Sequence, residues 1–265
     1  MTLAPDDYDD LRRAVQLLEK KRFIVRLTHY AGRPIEQMMT ALPRSTSENI
    51  QQVVRQTVAR LLDMTLRTMD GGARQAASPR IHKLAGGLSG AVGGAFGFAA
   101  LALELPVSTA LMLRSIADIA RSEGEDLTRI ESRLACLEVF ALGGPGAGDD
   151  AADTGYYAVR ASLAKALNEA AQYIARKGLA EKGAPVMVRF ITQIASRFGA
   201  LISEKAAAQA VPVIGAAGGA GINLLFMQHF QETARGHFIV RRLEGMYGQE
   251  VVRTVYRDLS RHTGR

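Results

Sequence analysis

The sequence is poor in the residues that form disulfides and aromatic binding platforms. It holds one cysteine, Cys136, and no tryptophan, and aromatic residues make up 6% of it. A single cysteine excludes an intramolecular disulfide and indicates a reducing compartment. Stacked aromatic side chains, which bind single-stranded nucleic acid, are not expected here. Nucleic acid is therefore not an expected partner.

Catalytic signatures are also missing. The sequence contains no HExxH, GxSxG, P-loop or CxxC motif. It therefore gives no support for a zinc protease, an α/β-hydrolase or a common nucleotidase. The glycines of GAVGGAFG follow no predicted strand and precede no Lys-Ser/Thr pair, and no histidine lies near Cys136 in the sequence. We therefore expect no cofactor and no metal, with Cys136 as a small core residue, and a non-enzymatic protein is favoured over an enzyme.

Charge is spread along the chain. The net charge is +7, without a block of Lys or Arg, which suits acidic lipid head groups or an ordinary arginine-rich surface. The N-terminal residues MTLAPDDYDDLRR form no apolar run like that of a signal peptide. A cytoplasmic location is expected.

The composition predicts an all-α protein. Apolar residues make up 48% of the chain, the periodic stretches exceed strand length, and strand-like alternation is nearly absent. We expect a compact multi-helix bundle in which two Gly/Ala-rich central segments pack together. Residues 1–265 are interpreted as one domain, with bracing helices in 1–83, helical units in 84–142 and 156–265, and a Gly-rich acidic linker at 143–155.

Local signals place the helices. Ser45 and Glu48 resemble a capping box that opens a helix reaching Leu66 or Met69. Pro106 is expected to stop one helix, so that the next runs from Val107 to a cap at Gly124, and another covers 125–142. Two further helices are predicted over 156–179 and 185–205.

Two segments lack charged residues altogether. They are Leu84–Leu103 and Ala206–Gln231, and both carry glycines at four-residue spacing. Such spacing allows close helix contact, in water or in lipid. The segments therefore predict a buried or membrane-contacting hairpin, with a membrane-spanning helix at 84–103 as the alternative.

Two groups of polar residues lie beside these segments. Arg114, Asp118 and Arg121 form one stripe on an apolar helix, which predicts an internal ion pair, a ligand pocket or a solvent-facing slot. His229 and Glu232 lie one turn apart, a spacing that allows metal chelation, although a structural histidine is the simpler interpretation.

Three stretches together resemble the EcsC family of bacterial proteins. They are LLEKKRFIVRLTHYAGRPIEQMMTALP, the glycine run with ELPVSTALMLRSIADIARSEGEDL, and VPVIGAAGGAGINLLFMQHFQETARGHFIVRRLEGMYG, covering roughly 17–43, 84–142 and 185–258. The resemblance implies a helical protein without an assigned activity, named after a member encoded beside an ABC exporter. It places the family's characteristic positions at Glu104, Pro106, Arg114, Asp118, Asn223, Phe226, His229, Ala234, His237, Phe238, Arg241, Arg242, Glu244 and Tyr247.

Two functions remain open at this point. The first is a membrane-associated protein at the inner face of the cell membrane, with lipid or an envelope or transport complex as partner and oligomerisation left open. The second is a soluble ligand-binding protein or enzyme with a charged pocket between the two Gly-rich units. The residues predicted for a polar network or pocket are Glu104, Arg114, Asp118, Asn223, His229, Glu232, Arg235, His237, Arg241, Arg242 and Glu244.

Overall fold

The structure, a computed structural model, describes residues 3–19, 26–29, 39, 44–68, 97–142, 155–177, 184–209 and 215–263. This part of the chain contains helices and no strand, which confirms the all-α prediction. The long helices are α1 (Pro5–Leu18), α2 (Arg44–Thr68), α3 (Gly97–Ser122), α4 (Ile130–Leu142), α5 (Tyr156–Lys177), α6 (Pro185–Gln209), α7 (Gly215–Tyr247) and α8 (Gln249–Thr263). The glycines at 84–96 and nearly all of the predicted linker lie outside the described residues.

Helix α4 lies at the centre of the bundle. It contacts α2, α3, α5, α6 and α7, and every residue from Ser132 to Ala141 is buried. Its neighbours supply an aromatic cluster in which the ring of Phe140 lies 5.1 Å from Phe198 and 5.2 Å from Phe230. This burial on all sides explains why α4 carries so few polar residues.

A second hydrophobic cluster joins the two termini of the described chain. Leu11, Ala14 and Val15 of α1 pack against the C-terminal half of α7 and against α8. Helix α1 therefore connects the N-terminal part of the chain with its C-terminal helices. Helix α2 is different, because it packs on α3, α4 and α6 and belongs to the main core.

Three local predictions need correction. Pro106 lies inside α3, which runs unbroken from Gly97 to Ser122; the hydroxyls of Ser108 and Thr109 donate to the carbonyl of Leu105 in the turn that follows. Ser45 lies inside α2 and is not its N-cap. The helix predicted over 125–142 begins only at Ile130, since Asp126 accepts hydrogen bonds from the amide and hydroxyl of Thr128 and forms a turn.

The predicted cap at Gly124 is confirmed. Its φ is +88°, and the amide of Glu125 donates to the carbonyl of Ala120 at 2.9 Å while the amide of Gly124 donates to that of Arg121 at 3.0 Å. These two bonds form a Schellman motif, which favours glycine at this position.

Helices α3 and α7 pack side by side and run in the same direction. Gln231 of α7 donates to Ser115 of α3 at 2.9 Å. Farther along in the same direction, Arg242 and Arg241 of α7 contact Glu123 and Glu125, which follow the end of α3. Lys205 of α6 meets Glu104 of α3. The start of α3, the end of α6 and the start of α7 therefore lie at one end of the bundle. We call residues 97–103, 206–209 and 215–228 the uncharged end, because they contain no Asp, Glu, Lys or Arg.

Gly236 allows α1 to approach α7 closely. A Cβ atom there would lie 2.6 Å from Leu18 Cγ and 3.2 Å from the carbonyl oxygen of Ala14. Gly236→Ala should therefore lower the free energy of unfolding by about 1–3 kcal/mol in urea denaturation. Gly245→Ala on the same helix is the control, since a Cβ there meets nothing within 4 Å and alanine should add up to about 1 kcal/mol. Equal effects of the two substitutions would contradict the close approach.

Candidate functional site

His237 is the most deeply buried of the predicted polar residues. It lies on α7 with no solvent exposure, and its Nδ1 is 2.8 Å from the hydroxyl of Tyr156 on α5. Its Nε2 is 3.7 Å from Oε2 of Glu138 on α4, which is too long for a hydrogen bond, and it has no hydrogen-bond partner in the described part of the chain. His237 therefore connects the central helix with α5 and α7.

Burial shifts the pKa values of His237 and Glu138. It lowers the pKa of His237 well below the ordinary value, and the positive charges of Arg160 and Arg241 act in the same direction. Burial raises the pKa of Glu138, although the same two arginines oppose that shift. A neutral imidazole has one N–H group and one acceptor nitrogen. The Tyr156 hydroxyl donates to Nδ1, so the N–H is at Nε2 and points toward Glu138.

Arg160, which acts on His237, forms an ion pair with Glu244. Nη1 of Arg160 is 2.9 Å from both carboxylate oxygens of Glu244, and the hydroxyl of Tyr157 donates to the same carboxylate at 2.9 Å. The guanidinium also lies 5.4 Å from the ring centre of Tyr156. These contacts bind α5 to the C-terminal half of α7.

A second pair joins α7 to the turn before α4. Nε of Arg241 is 2.5 Å from Oε1 of Glu125, and the hydroxyl of Ser132 donates to Oε2 at 2.6 Å. Burial raises the pKa of Glu125, but the hydrogen bonds from Arg241 and Ser132 outweigh it, and the net shift is downward. Glu125 is therefore held as a carboxylate.

Arg242, the next residue on α7, is shared by three acids. It contacts Asp10 at 2.6 Å, Glu123 at 3.1 Å and Asp7 at 3.5 Å. The hydroxyl of Tyr247 donates to Asp7 at 2.7 Å. This cluster fastens α1 to α7 and to the end of α3.

Glu104 belongs to a separate pair beside the uncharged end. The ammonium of Lys205 is 2.6 Å from Glu104 and 5.0 Å from the ring centre of Phe226, and the lysine side chain has no exposure. Burial lowers the pKa of Lys205, and the Glu104 carboxylate opposes the shift. One cation thus links α3, α6 and α7.

The remaining predicted residues lie elsewhere. Arg114, Asp118, Asn223 and Arg235 are exposed. The internal ion pair preferred for the α3 stripe is wrong, because Asp118 pairs with Arg121 at 2.9 Å and both side chains are more than half exposed. The stripe faces outward because α2, α4 and α7 pack against the other, apolar side of α3.

His229 and Glu232 do not form a metal site. Glu232 accepts hydrogen bonds from Arg26 at 3.1 Å and from Gln228 at 3.0 Å, and the His229 ring packs edge-on against Phe230. In the described ranges, no three His, Cys, Asp or Glu side chains are grouped as a metal site requires.

Sequence reasoning missed several members of the network, namely Glu125, Glu138, Tyr156, Arg160 and Lys205. A signal existed for Glu138, because it is one acid in the apolar run LACLEVFAL. No comparable signal marks Arg160 or Lys205, which lie among other polar residues of ordinary helices. Only the packing of α5 and α6 on the core buries them.

Cys136 is fully buried, as expected, and burial raises the pKa of its thiol to about 12, so it is no nucleophile at neutral pH. Arg241, Arg242 and Glu244 of α7 are each paired with a charged side chain outside that helix. These pairs fix the register of α7 relative to its neighbours.

The comparisons with known proteins agree with the motifs. A family model described as the EcsC protein family matches residues 11–243. A search of curated proteins and a search of solved structures gave no match. The matched residues include α2 to α6, nearly all of α7 and most of α1. Glu138, Tyr156, Arg160, His237 and Arg241 lie within the match, and Glu244 lies one residue beyond its end. The chain belongs to the EcsC protein family.

Proposed function

We propose that this chain is a non-enzymatic protein of the cytoplasmic face of the membrane, and that it binds lipid through its uncharged end. The observation that carries the proposal is the parallel packing of α3 and α7. It brings the described parts of both Gly/Ala-rich segments to one end of the bundle. A helix end without charges is what a bilayer surface accepts at low cost.

The most exposed large apolar side chain of the described residues lies in the uncharged end and supports this orientation, while Tyr8, Val188 and Met246 are exposed elsewhere. Leu224 lies in the uncharged end and is 69% exposed, and Leu111 on the neighbouring helix is 38% exposed. Large exposed apolar side chains are ordinary when isolated, but these two lie on adjacent helices at similar heights. They can enter the acyl boundary together.

The charged residues support a non-enzymatic protein. The alternative, a charged pocket between the two Gly-rich units, requires that the polar residues face a common cavity. Glu104, Glu232, Arg241, Arg242 and Glu244 are instead paired with other side chains. Paired in this way, they hold helices in place and present little unused charge to a ligand.

One helix deserves comparison with a membrane span. By length and composition, α6 is the one helix among the described residues that is long and apolar enough to cross a bilayer. It packs on α2, α4 and α5, and Ile194, Phe198 and Ile202 are fully buried. Helix α6 therefore belongs to the core of the bundle. We assign the proposed lipid contact to the uncharged end.

Flotation with liposomes tests the proposal. The purified chain should float with vesicles of neutral and anionic phospholipid mixtures, whereas a partner that is a membrane protein complex would leave it in the unbound fraction. Leu224→Glu should reduce the bound fraction about tenfold or more, because a carboxylate is costly in the acyl region. Met246→Glu is the matched control, since Met246 is 53% exposed on the same helix but about 33 Å away.

Three results would count against it. Absence of wild-type flotation with every vesicle would overturn lipid binding. Equal losses in the Leu224 and Met246 variants would overturn the assignment to the uncharged end. A full loss of binding in the Met246 variant alone would place the contact at the opposite end.

A further inference from the structure

Helix α1 turns a narrow apolar face toward the rest of the protein. The face consists of Leu11, Ala14, Val15 and Leu18. These positions have the spacing i, i+3, i+4 and i+7, with which an amphipathic helix binds in the hydrophobic groove of a partner. The exposed residues between them are Arg12, Arg13 and Gln16. Helix α1 therefore has the form of a helix bound in a groove.

Helices α7 and α8 form the groove that holds this face. Its apolar walls consist of Ile239, Val240 and Leu243 on α7 and of Val252, Tyr256 and Leu259 on α8. Gly236 leaves room for α1 at one point, because a Cβ atom there would lie 2.6 Å from Leu18 Cγ. The shape of the groove thus matches the side chains of α1 that it contains.

Polar contacts hold α1 near both ends of the groove. In the first half of α1, Asp10 pairs with Arg242 of α7 at 2.6 Å. Just after the end of α1, Glu19 accepts a hydrogen bond at 2.8 Å from the hydroxyl of Tyr256 on α8. These two contacts fix the direction and the register of the helix. The groove therefore fits a helix that carries acids at both positions.

Helix α1 lies outside the main hydrophobic core. Its buried residues belong to the second cluster, and no described residue of α1 is part of the core around Phe140. The next described stretch begins at Arg26 and places Leu27 in the main core. The chain from Leu18 to Arg26 is eight residues long and extends to about 28 Å, well beyond the spacing of about 8–10 Å between packed helices. Helix α1 can therefore leave its groove without opening the main core and reach the groove of a neighbouring molecule.

We propose that the groove between α7 and α8 binds α1 of a second copy of this chain, so that two copies exchange α1 in a symmetric dimer. The apolar face and the acids of α1 match the groove, and they do so equally in either copy. Such exchange, called domain swapping, is an accessible route to symmetric dimers. Because the closed monomer and the dimer contain the same contacts between helix and groove, protein concentration determines which of them is populated. This interface does not depend on the proposed lipid binding.

Disulfide trapping between two differently tagged chains tests the exchange. One chain carries Leu18→Cys and the other Gly236→Cys, positions that meet in the groove, whereas the native Cys136 is fully buried. After mixing at about 100 μM and mild oxidation, the covalent heterodimer should be about tenfold more abundant than in a control mixture, because docked thiols meet at millimolar effective concentration. The control mixture contains Val188→Cys in place of Gly236→Cys. Val188 is 49% exposed on α6 and outside the groove, so it records chance collisions.

A second measurement needs no cross-link. The dimer fraction of the wild type, measured by size-exclusion chromatography with light scattering, should rise with protein concentration. Leu11→Asp should abolish the dimer, because a carboxylate is not accepted in the apolar groove, and it should retain the helical circular dichroism of the main core. Val188→Asp is the matched control and should form the dimer as the wild type does.

Several results would overturn the exchange. One is a heterodimer yield equal to that of the control mixture. The double variant Leu18→Cys/Gly236→Cys should close a disulfide within one chain, and its failure to do so would show that α1 does not lie in the groove in this register. A wild type that stays monomeric at every concentration, or equal loss of the dimer in the Leu11 and Val188 variants, would also contradict the proposal. Unfolding of Leu11→Asp would mean that α1 cannot leave the groove with the core intact. If the Gly236→Cys chain does not fold, light scattering decides.

Discussion

Glu244→Ala should lower the free energy of unfolding by about 3–5 kcal/mol, the usual cost of removing one partner from a buried ion pair. The carboxylate is 11% exposed and the paired Arg160 is 17% exposed. Without Glu244, the guanidinium stays among the rings of Tyr156 and Tyr157 with no carboxylate in contact, and the Tyr157 hydroxyl loses its acceptor. Urea unfolding followed by circular dichroism measures the loss.

Asp118→Ala provides the matched control. It also removes a carboxylate paired with an arginine, but Asp118 is 64% exposed. Water and salt screen an exposed pair, so the loss should stay below about 1 kcal/mol. Similar losses in the two variants would show that the Arg160–Glu244 pair is not buried, and the network around His237 would then lose its structural role.

The comparison also shows what sequence can predict about this network. Asp118 and Glu244 were predicted for the same polar site, because both lie on largely apolar helices that match the family's motifs. The difference between them is burial, which depends on neighbours distant in sequence. Arg160, 84 residues away, pairs with Glu244, whereas Asp118 pairs with Arg121, three residues away on the same helix.

The fold was more predictable than the site. Long apolar periodicity set the helical class, and the glycine at 124 and the proline at 185 marked an end and a start correctly. The prediction of a helix break at Pro106 was wrong because tertiary contacts hold α3 together. Of the two residues before the proline, Leu105 is fully buried, and Glu104 forms an ion pair with Lys205. Local propensity cannot register such support.

The two ends of the bundle differ in how they are held together. At the end opposite the uncharged end, Arg241 and Arg242 form ion pairs with acidic residues of α1 and of the segment between α3 and α4. At the uncharged end, the described charged residues next to the Gly/Ala-rich residues are Glu104, Glu204 and Lys205, of which Glu104 and Lys205 form an ion pair. A charge-rich end that fixes register and the uncharged end, to which we assign the proposed lipid contact, are thus combined in α3 and α7.

The protons of Glu138 and His237 should give two single variants opposite pH dependences of unfolding. The native pKa of His237 is below its ordinary value of 6.5, so the unfolded chain takes up a proton below that pH before the native state does. In Glu138→Gln, the free energy of unfolding should therefore fall on acidification from pH 6.5 to 5, by up to about 1.4 kcal/mol per pH unit.

His237→Gln leaves the opposite effect. The native pKa of Glu138 is raised above 4.5, so the stability linked to its proton is complete below pH 4.5 and is lost as the pH rises through the native pKa. This variant should become more stable on acidification over the same window. The charged groups around the pair, Arg160, Arg241 and Glu244, remain in both variants, and the lowered pKa of Glu125 confines its contribution to more acid solutions.

The double variant Glu138→Gln/His237→Gln should show little pH dependence between pH 5 and 6.5, and the wild type should fall between the two single variants because its two effects partly cancel. Urea unfolding at a series of pH values measures all four curves. Slopes of the same sign in both single variants would mean that the pair is ionised in the native state. The histidine would then be held by a buried charge pair, and the arrangement of a neutral His237 that is hydrogen-bonded to Tyr156 and faces a protonated Glu138 would be wrong.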